Sequence, residues 1–328
     1  MQNAFEKFRQ VIQQGNRFVL TTHVNPDPDA IGSELAMARF LTSLGKIVAV
    51  LNHSATPVYC TFLDPKGIVE QFDPPHHANM VLNADVIIVL DANQPERLQS
   101  LKPYLLSSKA VKVCIDHHPD KTPFADLYIV DESTAATGEI LYGLLRFLDE
   151  NSITPDIASP LYAAIMTDTG SFRFPKTDPE LHRIVADLIE HGADPVDTYR
   201  RIYEQGTANR LQLLGGVLST LQLAHDGKVA TMFVTREMFQ RTGTSEEDIE
   251  NFINYTLTIS GVQIGLLFTE LPDGVKVSFR SRGEIEVNKL AQEFGGNGHK
   301  NAAGARIPAA RLKPTVDQVV ERSQDYLA

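Results

Sequence analysis

Cysteine, basic charge and long apolar runs are all scarce in this chain. Among 328 residues there are two cysteines, Cys60 and Cys114. They lie far apart, and Cys114 falls inside an apolar run that reads as a buried strand, so neither a disulfide framework nor a thiolate metal site is indicated and a reducing cytoplasm fits. No segment is long and apolar enough to cross a bilayer. Met1 to Gln14 mixes charges with apolar residues at helical spacing and lacks the apolar centre of a signal peptide. Lys and Arg number 30 against 41 Asp and Glu, a net charge of -11. That balance excludes the broad basic footprint by which proteins hold long duplex nucleic acid, and it favours small or short substrates. No Ser/Gly/Pro-rich linker or internal repeat interrupts the sequence.

What is present is an ordinary globular composition, 43% hydrophobic and 22% charged, at a length that suggests two domains. From Phe18 onward, short apolar strands (Phe18 to Thr21, Ile47 to Leu51, Val86 to Leu90, Val111 to Ile115, Leu127 to Val130) alternate with helical patterns. This predicts βαβ units and a mainly parallel α/β sheet over residues 1–190. Gly45 closes a helix that begins near Ala30. Helical patterns then run from Glu180 to Leu223, giving a helical connector over 191–224. The remainder, 225–328, carries the turn signals Asp226-Gly227 and Asp273-Gly274 beside β-rich runs (Val229 to Val234, Val262 to Thr269, Val275 to Arg280), with helices near Glu246 to Leu257 and Val287 to Phe294. It reads as a smaller α+β domain.

The chemistry lies in acid and His clusters placed where elements end. Phe18-Val19-Leu20 leads into His23, Asp27 and Asp29; Val86 to Leu90 into Asp91; Val111 to Ile115 into Asp116-His117-His118; and an apolar helix from Leu161 into Asp168-Thr169-Gly170. In an open α/β sheet the crevice beyond the carboxyl ends of the strands is where ligands bind, so these clusters can converge. Hard divalent cations take oxygen donors and accept imidazole, and a two-metal site needs several such ligands with a shared carboxylate to hold the ions about 3.5 to 4 Å apart. Singly, each cluster has a plainer reading. Asp29 can cap the helix starting at Ala30, Asp27 can form the turn, and Asp91 can cap a helix starting at Gln94-Pro95. The His76-His77 pair after Pro74-Pro75 reads as a solvated loop. Asp168 at a helix C-terminus opposes the helix dipole unless a cation balances it.

Between Lys276 and Lys313 eight basic residues stand against three acidic ones, a local surplus of five and enough to meet a few phosphates. Within this stretch, strand alternation puts Arg280 and Arg282 on one face. The run Gly295-Gly296-Asn297-Gly298-His299-Lys300-Asn301 is either a tight connection or a loop whose N–H groups meet a phosphate. Arg173 is a further phosphate candidate.

In order, His-x-x-x-Asp-x-Asp, Asp, Asp-His-His and Asp-Thr-Gly resemble the DHH phosphoesterase superfamily, and the glycine-rich run resembles its substrate-binding DHHA1 domain. Length matches the compact NrnA type, and the resemblance covers nearly the whole chain. It implies a manganese-dependent phosphoesterase acting on short single-stranded RNA and on 3'-phosphoadenosine 5'-phosphate (pAp), with two Mn²⁺ per chain (Mg²⁺ or Co²⁺ as substitutes) and a homodimer. It assigns His23, Asp27 and Asp91 to one ion and Asp29, Asp91, His117 and Asp168 to the other. His118 would contact the scissile phosphate, with Asp116 orienting an imidazole. Arg280, Ser281, Arg282, Gly296, Asn297, Gly298, His299 and Asn301 would contact substrate. Family members often have an unbroken glycine string where this chain has Asn297, a residue that tolerates left-handed backbone. A phosphodiesterase for linear or cyclic dinucleotides and a RecJ-like single-strand exonuclease are the alternatives. A manganese pyrophosphatase fits the C-terminal run less well, and a catalytically silent nucleotide-binding regulator would not need every ligand position.

Overall fold

The structure, a computed structural model, describes residues 1–119 and 122–327; the His299 side chain, expected to contact substrate, lies outside the described residues. It divides into two compact units, Met1–Gln205 and Gly206–Ala328, a division that falls within the helical stretch. The first unit runs α1 (Gln2–Gln14), β1 (Arg17–Thr21), α2 (Pro28–Ser43), β2 (Ile47–Asn52), β3 (Val69–Gln71), α3 (Pro74–Leu82), β4 (Val86–Leu90), α4 (Lys102–Ser107), β5 (Val111–Asp116), β6 (Leu127–Val130), α5 (Thr137–Leu148), α6 (Pro155–Asp168), α7 (Pro179–Glu190) and α8 (Pro195–Tyr203). Its six strands form one parallel sheet in the order β3-β2-β1-β4-β5-β6. Strand order therefore reverses between β1 and β4, which in a doubly wound sheet opens a crevice at the carboxyl ends of those two strands. Every residue of β4 is buried, as expected for a central parallel strand covered on both faces.

Side-chain alternation divides the core of this unit. Phe18, Leu20, Ile88 and Leu90 face a cluster built with α2, α5 and α6, whereas Val19, Ile87 and Val89 face a second one. Two glycines draw the helices of the first cluster together. A Cβ on Gly32 of α2 would stand 2.3 Å from the Pro160 carbonyl oxygen of α6, and one on Gly138 of α5 would stand 2.7 Å from Ala164 Cβ. The close approach gathers the start of α2, the start of α5 and the end of α6 beside the crevice.

The second unit contains α9 (Ala208–Leu218), β7 (Gln222–Ala224), β8 (Val229–Val234), α10 (Arg236–Thr242), β9 (Ile264–Leu271), β10 (Gly274–Ser281), α11 (Val287–Glu293), β11 (Asn297–His299), β12 (Ala302–Pro308) and α12 (Leu312–Ser323). Its sheet has the order β11-β12-β10-β9-β8-β7, antiparallel except for the parallel pair β8–β9.

Several expectations are corrected. His76-His77 is helix, not loop, and only half of the pair is solvated: the segment is α3, His76 is exposed, and His77 is 8% exposed with Nδ1 accepting the Asp73 N–H at 2.9 Å. Pro74 and Pro75 occupy the first turn, where a missing N–H costs nothing. The helix expected near Glu246 to Leu257 is two 3₁₀ pieces, Glu246–Ile249 and Phe252–Thr258, separated by Asn251 at φ +66°. Of the two readings of the glycine-rich run, the tight connection describes its backbone: strand β11 turns into β12. The helix α2 starts at Pro28, and its N-cap is Asp27, not Asp29.

Candidate metal centre

The parallel strands deliver their C-terminal clusters to one place. Past β1, Asp27 Oδ1 accepts the backbone N–H groups of Asp29 and Ala30, each at 3.0 Å, which locks the turn that presents His23 and Asp29. Past β4, Asp91 adopts φ +57°, a left-handed conformation that costs energy in a non-glycine residue and that caps no helix here. The residue in the cap position of the following 3₁₀ helix is Gln94. At the end of β5, the fully buried Asp116 accepts the N–H of His117 at 2.8 Å and pairs through Oδ1 with His118 Nδ1 at 2.8 Å. Thus Asp116 orients an imidazole, and that imidazole is His118.

Three overlapping groups could each hold a cation: His23, Asp27 and Asp91; Asp91, Asp116, His117 and His118; and Asp29, His117 and Asp168. Their connections are short. His23 Nε2 lies 3.3 Å from Asp91 Oδ2, and His117 Nε2 lies 3.2 Å from Asp168 Oδ2, 3.7 Å from Asp91 Oδ1 and 3.9 Å from Asp29 Oδ2. His23 Nδ1 faces the Val24 carbonyl at 2.9 Å; it can only donate there, so the Nε2 lone pair is turned to the cluster.

Electrostatics leave this cluster short of positive charge. Burial, then the neighbouring Asp27, pushes the Asp29 carboxyl up to about 7. Burial, then Asp29 and Asp27, raises Asp168 to about 8 and holds Asp91 well above the usual carboxylate range. Burial also lowers the imidazoles of His117, to about 4, and of His23, below its ordinary value. A metal-free site thus keeps protons where cations would sit. Among the described residues neither ring nitrogen of His117 makes a well-formed hydrogen bond, although the Thr134 carbonyl lies near the ring, and Asp116 Oδ2 is likewise unpartnered. Neutral imidazoles among crowded carboxylates, with a buried nitrogen aimed between them, are the donor set a hard divalent ion requires, so the residues fit a metal centre.

Sequence reasoning missed the residues that brace these ligands. The first N–H groups of α5, from Thr137 and Gly138, donate to the two oxygens of Asp29 at 2.8 and 2.9 Å, a helix N-terminus satisfying an anion. The Thr137 hydroxyl donates to Asp91 Oδ1 at 2.9 Å. Asn93 donates to the His118 carbonyl at 2.7 Å. Asn52, at the end of β2, accepts the Thr22 N–H at 3.1 Å and donates to the buried Glu34 at 2.7 Å; burial, against that hydrogen bond, lifts Glu34 to about 8. Asn52→Ala would leave a buried N–H and a buried carboxyl unpaired behind the His23 loop. Metal affinity should fall about 10- to 100-fold, as for other residues that support ligands, with a stability loss of about 1–3 kcal/mol. Metal titration and thermal melting check this; unchanged affinity would show that the loop holds its shape unaided.

In the second unit, β10 alternates: Lys276, Ser278 and Arg280 are half-buried, while Val277, Phe279 and Ser281 are buried. β10 ends at Ser281, one residue before Arg282, whose guanidinium reaches the Leu257 carbonyl. Much of the basic surplus is paired within the unit. Lys276 and Arg306 share Glu246, Lys289 meets Glu286 and Lys300 meets Glu284. Among the described residues no ion pair ties down Arg280, whose pKa burial lowers. The Ser281 hydroxyl donates to Ile285, and the Asn301 amide donates to Ser281 Oγ, Gly283 and Ile285, so both side chains brace the turn after β10. A Cβ on Gly296 would meet the Gly304 oxygen at 2.3 Å, and Gly298 has φ +150° with the Ala302 oxygen 2.5 Å from a Cβ position. Both glycines are thus required by the close approach of β12. Asn297 sits between them in β11, accepts the Gly298 N–H at 2.8 Å, and needs no left-handed backbone. Arg173 is exposed, with Nε donating to the Gly170 carbonyl at 2.6 Å.

Comparison with known proteins agrees with this geometry. The DHH family, N-terminal domain, matches residues 17–165, and the DHHA1 domain matches residues 226–327. The bifunctional oligoribonuclease and PAP phosphatase NrnA of Thermus thermophilus is 32% identical over 94% of this chain and 89% of its own length. The protein of that name from Bacillus subtilis is 28% identical over 88% of each. A crystal structure of an exopolyphosphatase-related protein from Bacteroides fragilis matches with a TM-score of 0.93 at 30% identity, covering 99% of this chain and 97% of that one. A manganese-bound RecJ exonuclease shares the fold, with a TM-score of 0.56 at 15% identity over 99% of this chain and 94% of that one.

Proposed function

Because the chain belongs to the DHH family of phosphoesterases, with a C-terminal DHHA1 domain, we propose that it degrades very short oligoribonucleotides to mononucleotides and dephosphorylates pAp to AMP, using two divalent ions, preferentially Mn²⁺. His23, Asp27 and Asp91 hold one ion; Asp29, Asp91, His117 and Asp168 hold the other. When bound, such a pair supplies a nucleophilic water and neutralises charge on the phosphate oxygens. The chain's own residues do the rest. Thr137 and the α5 N-terminus fix the carboxylates of Asp91 and Asp29, and His118, held by Asp116 through Nδ1, turns its other nitrogen to the scissile phosphate. Arg280 offers a guanidinium to a substrate phosphate. The observation that carries this reading is the position of Asp91, whose two carboxylate oxygens face His23 Nε2 at 3.3 Å and His117 Nε2 at 3.7 Å, and which is held in left-handed backbone at the point where strand order reverses.

Substrate length tests the reading. The chain carries a net charge of -11, and much of the basic surplus near the C-terminus is paired, so a long strand gains few phosphate contacts beyond its reactive end. On single-stranded RNA from two to about twenty nucleotides, a groove of finite size predicts that kcat/KM falls beyond a few nucleotides, at low salt as well. A rise with length that collapses on adding salt would instead indicate an extended channel and a RecJ-like exonuclease.

A further inference from the structure

Beside Asp168 the backbone does something costly. Gly170, Ser171 and Phe172 all have left-handed φ, at +58°, +59° and +64°. Such strain in non-glycine residues persists only where surrounding structure enforces it, and it concentrates at functional sites. Here the enforcement is visible. Ser171 N–H donates to the Met166 carbonyl at 2.8 Å and Phe174 N–H to the Thr169 carbonyl at 3.0 Å, while the Phe172 ring is anchored against Tyr162 and His182. The turn sends Phe172 inward and Phe174 outward. The Phe174 ring rests on Gly170, where a Cβ would come within 2.6 Å of its tip, and yet the residue stays 54% exposed.

This ring lines a cavity of roughly 400 Å³ whose wall also includes His117, Asp168, Thr169, Lys176 and Thr177. That volume lies within the range of small-molecule sites, about 300–1,000 Å³. The Thr177 hydroxyl is a buried polar atom without a hydrogen-bond partner among the described residues. The cavity therefore joins an exposed aromatic face, an unsatisfied polar group, an exposed ammonium and two of the grouped ligand residues. An aromatic face accepts any base by stacking, and a neighbouring hydroxyl can meet a base edge.

The geometry points to this cavity as a nucleobase subsite: the base of the nucleotide that carries the scissile phosphate stacks on Phe174, with Thr177 at its edge and Lys176 toward its phosphate. The inference rests on the phosphohydrolase reading above and deepens it, by making the base, and not only the phosphate, a determinant of binding.

The test compares the full-length parent with Phe174→Leu and Phe174→Trp under manganese, on pAp and on ribose 3',5'-bisphosphate lacking a base. Loss of one base stack should raise KM for pAp by about 5- to 100-fold in Phe174→Leu, far more than for the abasic compound, while Phe174→Trp restores the parent value. An unchanged KM for pAp, or equal increases for both substrates, would overturn the subsite. Calorimetric binding of AMP separates the two readings. If the parent fails to hydrolyse pAp but binds AMP, and Phe174→Leu weakens that binding, the phosphohydrolase reading fails and the base site stands. If AMP does not bind the parent, or binds the variant equally, the base site fails whatever the turnover.

Discussion

Asp91→Asn loses metal-dependent turnover by about three orders of magnitude or more, whereas Asp27→Asn retains a measurable fraction. The difference follows from position. Asp91 Oδ2 lies 3.3 Å from His23 Nε2 and its Oδ1 3.7 Å from His117 Nε2, one imidazole of each proposed ion, whereas Asp27 groups only with His23 and Asp91, so under the proposed assignment the first change removes a charged donor from both ions and the second from one. Asparagine is chosen for its conformational match, because it tolerates the left-handed backbone at φ +57° that would strain most other residues. Its amide oxygen can still accept the Thr137 hydroxyl, so the fold is retained and the measurement reports the lost charge. At Asp27 the asparagine also keeps the N-cap of α2, where alanine would cost about 1 kcal/mol of stability. Steady-state kcat/KM on pAp with a manganese series separates the two variants. Near-parental turnover in Asp91→Asn would remove Asp91 from the shared position.

The second large effect is on stability. In metal-free protein the carboxyls of Asp29 and Asp168 titrate near about 7 and about 8, against 3.8 when unperturbed, and Glu34 titrates near about 8 against 4.5. A group whose folded pKa is raised stabilises fully below its unfolded value, and that contribution is lost as pH rises through the folded value. The buried imidazoles act oppositely: with His117 lowered to about 4 from 6.5, stability is gained as pH rises from 4 to 6.5. Between those values the imidazoles offset only part of the carboxyls' loss. Above pH 6.5 only the carboxyls remain, so the melting temperature of chelator-treated protein should fall between pH 6.5 and 8 by at least about 5 °C. Divalent ions bind deprotonated ligands, so saturating manganese should abolish or reverse the slope and add about 2.7 kcal/mol at a hundredfold excess over Kd. Differential scanning calorimetry with and without chelator decides. A metal-free melting temperature that is flat over this window would mean that the cluster is not crowded as described.

Much of this site was legible in sequence because its ligands end recognisable elements. Val86 to Leu90 is continuously apolar, as a strand covered on both faces must be, and the first residue after it is Asp91; Val111 to Ile115 leads into Asp116-His117-His118 in the same way. What periodicity does not encode is which strands are neighbours. The reversal between β1 and β4, which brings His23 beside Asp91, is a tertiary fact. So is the brace on Asp29, whose partners Thr137 and Gly138 act through backbone N–H groups that leave no mark in composition. The glycines left two readings open for a related reason. At Gly296 and Gly298 the absent side chain makes room for a neighbouring strand, whereas the same letters could equally announce an open phosphate loop. His77 was misread because Pro-Pro suggests a loop, although two prolines fit the first turn of a helix.

The most direct test of the proposed two-ion phosphohydrolase is a manganese titration into chelator-stripped protein while orthophosphate release from pAp is followed. The account predicts no release without metal, activity rising to a plateau at two ions per chain, and a flat response in Asp91→Asn. Full release in the presence of chelator, or a plateau at one ion per chain, would contradict it.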